Sequence, residues 1–255
     1  MDQQFLISLT VGVAIGAASG FLGAFMILKR MALVGDALTH VALPGIGLAL
    51  IFGVNPFIGA FAVLFLAMLL VWKLEQRTDL PVEALVGIFF AASLAIGILL
   101  IPKLELYEAL FGDISAANLL DGVFALIIAG IIFAVMAKIS DKILTGIISE
   151  DLAVSSGINV FRLNFVFLLL VVAIVALGVK VIGTLLMGGL LIVPAATARN
   201  ISQSFRQFGL WSAVFGVLSA GIGIFSAKLF SIPPGPTVIL VGAVFFLISL
   251  ALKRR

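Results

Sequence analysis

The segment from Arg30 to Phe52, RMALVGDALTHVALPGIGLALIF, decides both the fold and the candidate site. It is almost entirely apolar and long enough to cross a bilayer as one helix. Its two ionisable interior residues, Asp36 and His40, are four positions apart and therefore share one helix face. Pro44 leaves the carbonyl of His40 without its usual helical donor. A carboxylate, an imidazole and a free carbonyl oxygen are thus predicted to lie close together at membrane depth, where ionisable groups mark candidate functional sites.

The composition of the whole chain is that of a membrane protein. Apolar residues make up 63% of the 255 residues and charged residues 11%, against about 45–50% and about 25% in soluble domains. Apolar runs of about 20 residues without alternation indicate helices and argue against a β-barrel. The chain has no cysteine, which excludes thiolate metal sites and disulfides. Its basic residues stand singly at the ends of the apolar runs, so the net charge of +3 does not indicate nucleic-acid binding.

The apolar runs predict a single all-α domain over residues 1–255, a polytopic bundle of about nine transmembrane helices, with eight or ten also compatible. The predicted spans are 5–28, 33–52, 57–73, 82–101, 119–137, 163–178, 181–198, 208–229 and 237–252. A cytoplasmic C-terminus places most of the Lys- and Arg-containing loops inside, as the positive-inside rule expects. The loop 102–118, with Glu105, Glu108 and Asp113, then lies outside and is predicted to contain an interfacial helix.

Two other segments carry local signals. Within the cytoplasmic segment 138–162, Ser149 or Glu150 is predicted to cap a short helix that Gly157 ends. In the seventh span, Gly188, Gly189 and Pro194 predict a kinked or broken helix suited to lining or gating a pore, although kinks also serve packing alone. The neighbouring Met187 is a soft metal ligand in principle, but filling a gap between helices is the favoured interpretation.

Three runs together resemble the integral membrane permeases of ATP-binding cassette (ABC) importers for zinc, manganese and iron(II). They are GDALTHVALPGIGLA, EDLAVSSGINVFRLN and VIGTLLMGGLLIVPAATARN, at residues 35–49, 150–164 and 181–200. The resemblance covers essentially the whole chain and implies a type II-like importer permease in a bacterial or archaeal inner membrane. It also implies a second permease protomer, as a homodimer or heterodimer, and ABC subunits that use ATP. A periplasmic or lipid-anchored metal-binding protein would deliver the ion.

The resemblance also implies roles for particular residues. Asp36 and His40 would hold the passing ion, since carboxylate and imidazole suit zinc, manganese and iron(II). One chain supplies only this pair, so the second protomer is expected to complete the site near a dimer axis. The residues expected to line or gate the path are Pro44, Gly188, Gly189 and Pro194. Those expected to dock the ATPase subunit are Glu150, Asp151, Leu152, Ser156, Gly157 and Asn159.

Two other functional classes compete with this interpretation. A stand-alone secondary transporter could use Asp36 and His40 as a cation relay, but it has no need of the docking segment 150–164. An intramembrane enzyme is disfavoured, because one His, no Cys and no His-Glu-x-x-His motif leave too few catalytic groups. The sequence therefore predicts a transport subunit that is not itself an enzyme, with ATP hydrolysed by a separate partner.

Overall fold

The computed structural model describes residues 3–75, 77–78, 80, 82–102, 105, 109–112 and 118–252. Its main helices are α1 (Gln3–Leu28), α2 (Ala32–Ile51), α3 (Pro56–Glu75), α4 (Val82–Leu100), α5 (Leu119–Ile148), α6 (Glu150–Ser155), α7 (Val160–Ile182), α8 (Thr184–Ile201), α9 (Phe205–Phe230) and α10 (Pro234–Leu252). In the outer loop, residue 105 and residues 109–111 are helical. The predicted acidic residues Glu108 and Asp113 lie outside the described residues.

The described helices account for the predicted spans. Seven of them, α1 to α3, α5, α7, α9 and α10, are long and apolar enough to cross a membrane. The apolar stretches of α4 and α8, residues 84–100 and 186–201, are shorter. These nine helices correspond in order to the nine predicted spans, and the described part of the chain contains no strand. The all-α, multi-pass fold class is confirmed.

Several predicted boundaries were wrong. The fifth span, predicted to end at residue 137, continues as α5 to Ile148, because Lys138, Asp141 and Lys142 end the apolar run without breaking a helix. The ninth span begins at Pro234 rather than residue 237, since a proline is tolerated in the first turn. Likewise, α9 begins at Phe205, where Ser204 accepts a hydrogen bond from the backbone N–H of Gln207.

The turn predicted at Lys180 lies three residues further on. Lys180 is part of α7, and Gly183 alone separates α7 from α8. Gly183 has φ 90° and ψ 162°, a conformation essentially restricted to glycine. A Cβ here would also collide with the carbonyl carbon of Phe111, so the loop between α4 and α5 packs directly on this one-residue junction.

Helix α1 packs along much of α9 through small residues. A Cβ added to Gly16 would lie 2.5 Å from the carbonyl oxygen of Gly216. One added to Gly20 would collide with the carbonyl oxygen of Ser212. At these two positions the absence of a side chain allows the two helices to approach closely.

Helix α2 is held between α3 and α4 over its C-terminal half. A Cβ on Gly45 would lie 2.6 Å from the carbonyl carbon of Gly59 on α3. On the other side, a Cβ on Gly97 of α4 would lie 2.5 Å from the Cβ of Leu43. Residues 40–47 are all buried. These close backbone contacts fix the helix that carries the candidate ligands.

An ion pair that the sequence analysis missed joins the first turn of α5 to the last turn of α7. The Nζ atom of Lys180 lies 2.5 Å from Oδ1 of Asp121. Asp121 is only 7% exposed and also accepts a hydrogen bond from the backbone N–H of Asn118, 3.0 Å away. The two partners are 59 residues apart in sequence, so only the packing of α5 on α7 brings them together.

Replacing Asp121 with asparagine is expected to lower the free energy of unfolding by about 1–3 kcal/mol, because a partly buried ammonium loses its charged partner. Thermal unfolding of the purified protein in detergent measures this change. The matched control is Asp141→Asn on the exposed part of α5, expected to change stability by less than about 0.5 kcal/mol. Equal shifts in both variants would show that the ion pair contributes nothing.

Candidate functional site

Asp36 and His40 lie one turn apart in the N-terminal half of α2, on one face as predicted. Asp36 is half-buried, whereas His40 is only 8% exposed. The Thr39 hydroxyl between them donates a hydrogen bond to the backbone carbonyl of Asp36, 2.7 Å away. Thr39 thereby satisfies its own donor within the helix, which leaves the carboxylate of Asp36 available to neighbours in space.

Gly188 of α8 lies directly against Asp36. A Cβ on Gly188 would lie 3.0 Å from the Cα of Asp36 and 3.1 Å from its Cγ. No side chain larger than hydrogen fits there without moving one of the two helices. The predicted gating residue and the predicted ligand, 152 residues apart by their numbers, are therefore in contact, and α8 forms one wall of the site.

The imidazole of His40 is enclosed by α4. Its ring meets the ring of Phe90 edge-on, with centroids 5.1 Å apart. Its Nδ1 atom is buried and has no hydrogen-bond partner among the described residues. An unpaired buried polar atom is unfavourable and calls for an explanation. A bound cation would supply one, since a neutral imidazole nitrogen is a common metal ligand.

Pro44 lies inside α2, which runs unbroken past it to Ile51. The proline cannot donate to the carbonyl of His40, as the sequence predicted. Because residues 40–47 are buried, this carbonyl lies within the protein. Asp36, His40 and Pro44 thus follow one another at intervals of one turn along α2, and Gly188 contacts the first of them.

The other two predicted gating residues contact different helices. Helix α8 is unbroken through Pro194, whose Cβ would lie 3.4 Å from a Cβ on Gly20 of α1. A Cβ on Gly189 would lie 3.0 Å from the side chain of Ile239 on α10. Met187 is fully buried, and its side chain packs against Gly178 of α7, as the gap-filling interpretation expects. The gating roles of all four residues, Pro44, Gly188, Gly189 and Pro194, remain predictions.

One chain does not present a complete set of metal ligands in its described part. No group of three or more His, Cys, Asp or Glu side chains among these residues is placed to hold a metal ion. Asp36 and His40 thus form a pair of candidate ligands.

The predicted docking segment forms the short helix α6 and the turn after it. Ser149 caps α6, since its Oγ accepts a hydrogen bond from the backbone N–H of Leu152, 3.2 Å away. Gly157 ends the segment with a left-handed φ of 75°. Asn159 then caps α7 by accepting from the backbone N–H of Arg162, 2.8 Å away. The predicted capped helix with a glycine stop is confirmed.

This segment presents polar and apolar side chains to the surroundings. Leu152 is 51% exposed and Val154 is 61% exposed, while Ala153 between them is fully buried. The predicted docking residues are all exposed: Glu150, Asp151, Leu152, Ser156, Gly157 and Asn159. Leu152 and Val154 thus lie exposed beside the carboxylates of Glu150 and Asp151.

Comparison with known proteins decides the family. The profile of the ABC 3 transport family matches residues 1–253. The chain belongs to the ABC 3 transport family. The predicted resemblance to ABC permeases is thereby confirmed over almost the full length.

Family members with curated names align over nearly the whole chain. The "Manganese transport system membrane protein MntC" of Listeria monocytogenes is 32% identical over 254 residues, which cover 98% of this chain and 91% of that protein. The "High-affinity zinc uptake system membrane protein ZnuB" of Haemophilus influenzae is 30% identical over 254 residues, 97% of each chain. The chain thus spans nearly the full length of both relatives.

Solved structures share the fold. A chain of "PsaBC from Streptococcus pneumoniae in complex with Fab" superposes with a TM-score of 0.88 at 29% identity, covering 98% of this chain and 92% of that one. A putative metal-chelate type ABC transporter in an inward-facing conformation gives a TM-score of 0.80 at 18% identity, covering 97% and 85%. The second likeness establishes the fold alone.

Proposed function

We propose that this ABC 3 family member is the membrane permease subunit of an ATP-driven importer of zinc, manganese or iron(II). The observation that carries the proposal is the pair Asp36 and His40 on buried α2, with the unpaired Nδ1 of His40 between α2 and α4. The relatives named for manganese and zinc transport support a divalent transition metal as the cargo. Carboxylate and imidazole suit each of these ions.

The ion is held by two copies of the chain. Two ligands from one protomer are too few for a defined site, and a second Asp36 and His40 pair would bring the number to four. Four ligands of mixed nitrogen and oxygen type bind zinc or manganese. A transport site must also release its ion, so binding shared between two subunits suits passage better than a closed structural site.

Energy comes from separate ATP-binding cassette subunits that dock on α6. The capped helix, its two carboxylates and its exposed Leu152 and Val154 form the contact surface. A metal-binding protein on the outer side delivers the ion to the permease. The exposed docking segment is the feature that favours this arrangement over a secondary transporter, which requires no ATPase partner.

Reversing the charges of α6 with Glu150→Lys and Asp151→Lys is expected to lower the amount of ATPase subunit that co-purifies by about fivefold. The two carboxylates are part of the proposed contact surface, and a change of about fivefold is of the usual size for coupling between two sites. Quantitative gel analysis of the purified complex measures it. Lys138→Glu on the exposed extension of α5 is the matched charge reversal outside the docking segment. Unchanged co-purification of the α6 variant would refute the docking assignment.

Reconstitution tests the function as a whole. The permease, its ATPase subunit and its metal-binding protein are placed in lipid vesicles, and entry of zinc, manganese and iron(II) is measured separately. ATP-dependent entry of at least one ion, with metal-stimulated ATP hydrolysis, is expected. Metal entry driven by a proton gradient without ATP would instead establish the secondary transporter.

A further inference from the structure

One hydrogen bond ties the α1–α2 corner to α7. The Nζ atom of Lys29 donates to Oδ1 of Asn164 at 2.7 Å. The same ammonium lies 5.8 Å from the ring centroid of Phe167, one turn further along α7, where a cation and an aromatic face attract each other. A single side chain after the end of α1 thus contacts two residues in the first two turns of α7.

The two segments that this bond joins have different roles in the proposed transport cycle. Helix α2 begins only three residues after Lys29 and carries Asp36 and His40. Helix α7 follows α6 after the four residues 156–159. One path from the docking helix to the candidate ligands therefore runs through α6, the start of α7, Lys29 and α2.

Direct packing between α2 and α7 is interrupted beside this bond. A cavity of about 470 Å³ lies there, lined by Val34 and Leu38 on α2, by Phe161 and Leu168 on α7, and by Glu150 of α6. Side chains on opposite walls of this cavity do not touch, so they gain no dispersion attraction from each other. A movement of α7 is therefore transmitted only weakly to α2 across the cavity. Lys29 and Asn164 line the same cavity, so their bond bridges a gap that apolar side chains leave open.

The corner that carries Lys29 is tight. Arg30 adopts a left-handed φ of 60°, which is unfavourable for a residue other than glycine unless its surroundings hold it there. The backbone N–H of Met31 closes the corner by donating to the carbonyl of Met26 at 2.8 Å. A displacement of Lys29 is therefore passed to the start of α2 instead of being absorbed by a loose loop.

We propose that the Lys29–Asn164 hydrogen bond transmits the movement of the docking helix to α2, and so couples ATP hydrolysis to release of the ion at Asp36 and His40. This inference rests on the proposed function. Lys29 and Asn164 are positioning residues, because they act on the candidate ligands only through α2. Removing either side chain uncouples ATP hydrolysis from ion release and leaves each subunit folded and assembled.

The experiment uses the complete reconstituted complex, with zinc and manganese as probes. Lys29→Met, Asn164→Leu and the double variant are compared by the number of ATP molecules hydrolysed per metal ion transported. Each single variant is expected to raise this ratio at least about fivefold, the lower end of usual coupling strengths. The double variant is expected to match Lys29→Met, because Asn164→Leu breaks only the hydrogen bond that Lys29→Met already breaks. Lys29→Arg keeps a donor and is expected to stay near the wild-type ratio.

A control variant separates coupling from general loss of interhelical bonding. Asn200→Ala removes another side-chain hydrogen bond between helices, from Asn200 of α8 to Ser249 of α10 at 2.9 Å, which lies off the path from α6 to α2. Its ratio is expected to remain unchanged. If Asn200→Ala raises the ratio as much as Lys29→Met, the Lys29–Asn164 bond has no special role.

Other results also decide the matter. Additive effects in the double variant, or parallel loss of ATP hydrolysis and transport at a constant ratio, would reduce the bond to a structural contact and overturn the inference. ATP-dependent transport by the wild type together with wild-type ratios in all variants would refute the coupling role alone. Absence of metal transport in the wild-type complex would overturn the proposed function and this inference together.

Discussion

Replacing His40 with alanine is expected to reduce metal uptake at least about 100-fold, since even the groups that only orient metal ligands are worth about 10–100-fold. The imidazole is buried, its Nδ1 has no partner among the described residues, and in a homodimer the substitution removes two ligands at once. Two aspartates would then be left to hold the ion. The measurement is initial ATP-dependent uptake of zinc and manganese into vesicles, normalised to the amount of reconstituted complex.

Two control variants keep this result specific to the ligand. Val41→Ala alters the neighbouring side chain of α2, which is 1% exposed, and leaves the imidazole in place. Phe90→Leu removes the aromatic contact to the imidazole and tests whether ring packing alone matters. Both are expected to keep uptake per complex within about twofold, a change under about 0.4 kcal/mol. Normal uptake by His40→Ala at normal abundance would refute the site assignment.

Gly188→Ala is expected to lower uptake at least about tenfold, because placing ligands even slightly off their productive geometry is costly. The added methyl group would lie 3.0 Å from the Cα of Asp36. Backbone cannot swing aside as a flexible side chain does, so α2 and α8 must separate and the carboxylate must move. Uptake per assembled complex is again the measurement, together with the affinity for manganese.

Alanine substitutions at two other glycines serve as controls for the effect of Gly188→Ala on uptake. Gly189 is the adjacent position in α8. In Gly189→Ala the nearest atom to the added methyl group is Cδ1 of Ile239, 3.0 Å away, and the Ile239 side chain can turn to another rotamer. Gly87→Ala on α4 meets nothing within 4 Å and is expected to be neutral. Equal uptake by the Gly188→Ala and Gly87→Ala variants would contradict a functional contact between α8 and Asp36.

The sequence predicted well the features that depend on local pattern. Long apolar runs located every span, because a bilayer requires about 20 such residues per helix. The spacing of Asp36 and His40 placed them on one face, and Ser149 and Gly157 bounded α6 as expected. Charged residues predicted helix ends poorly: Lys138 and Lys142 predict the start of a loop, but they lie within α5.

The sequence could not predict contacts between distant segments. Gly188 was singled out for flexibility, but its position against Asp36 follows from the crossing of α2 and α8, which no local pattern specifies. Phe90 looked like any lipid-facing aromatic residue, and Lys29 like an ordinary interfacial cation. Asp121 and Lys180 were near the outer ends of their spans, so an outer ion pair was compatible with the topology, but nothing selected that particular pair.

The length of α5 has a consequence for the proposed docking of an ATPase subunit on α6. Its 30 residues extend about 45 Å, whereas the hydrocarbon core is about 30 Å thick. The excess of about 15 Å is a rigid stalk, and α6 follows directly at its tip. The stalk sets both the distance of α6 from the lipid and the side of α5 towards which α6 points. Each residue inserted or deleted between 138 and 148 would shift that tip by about 1.5 Å and rotate it by about 100°, so the stalk is expected to accept substitutions far more readily than changes in length.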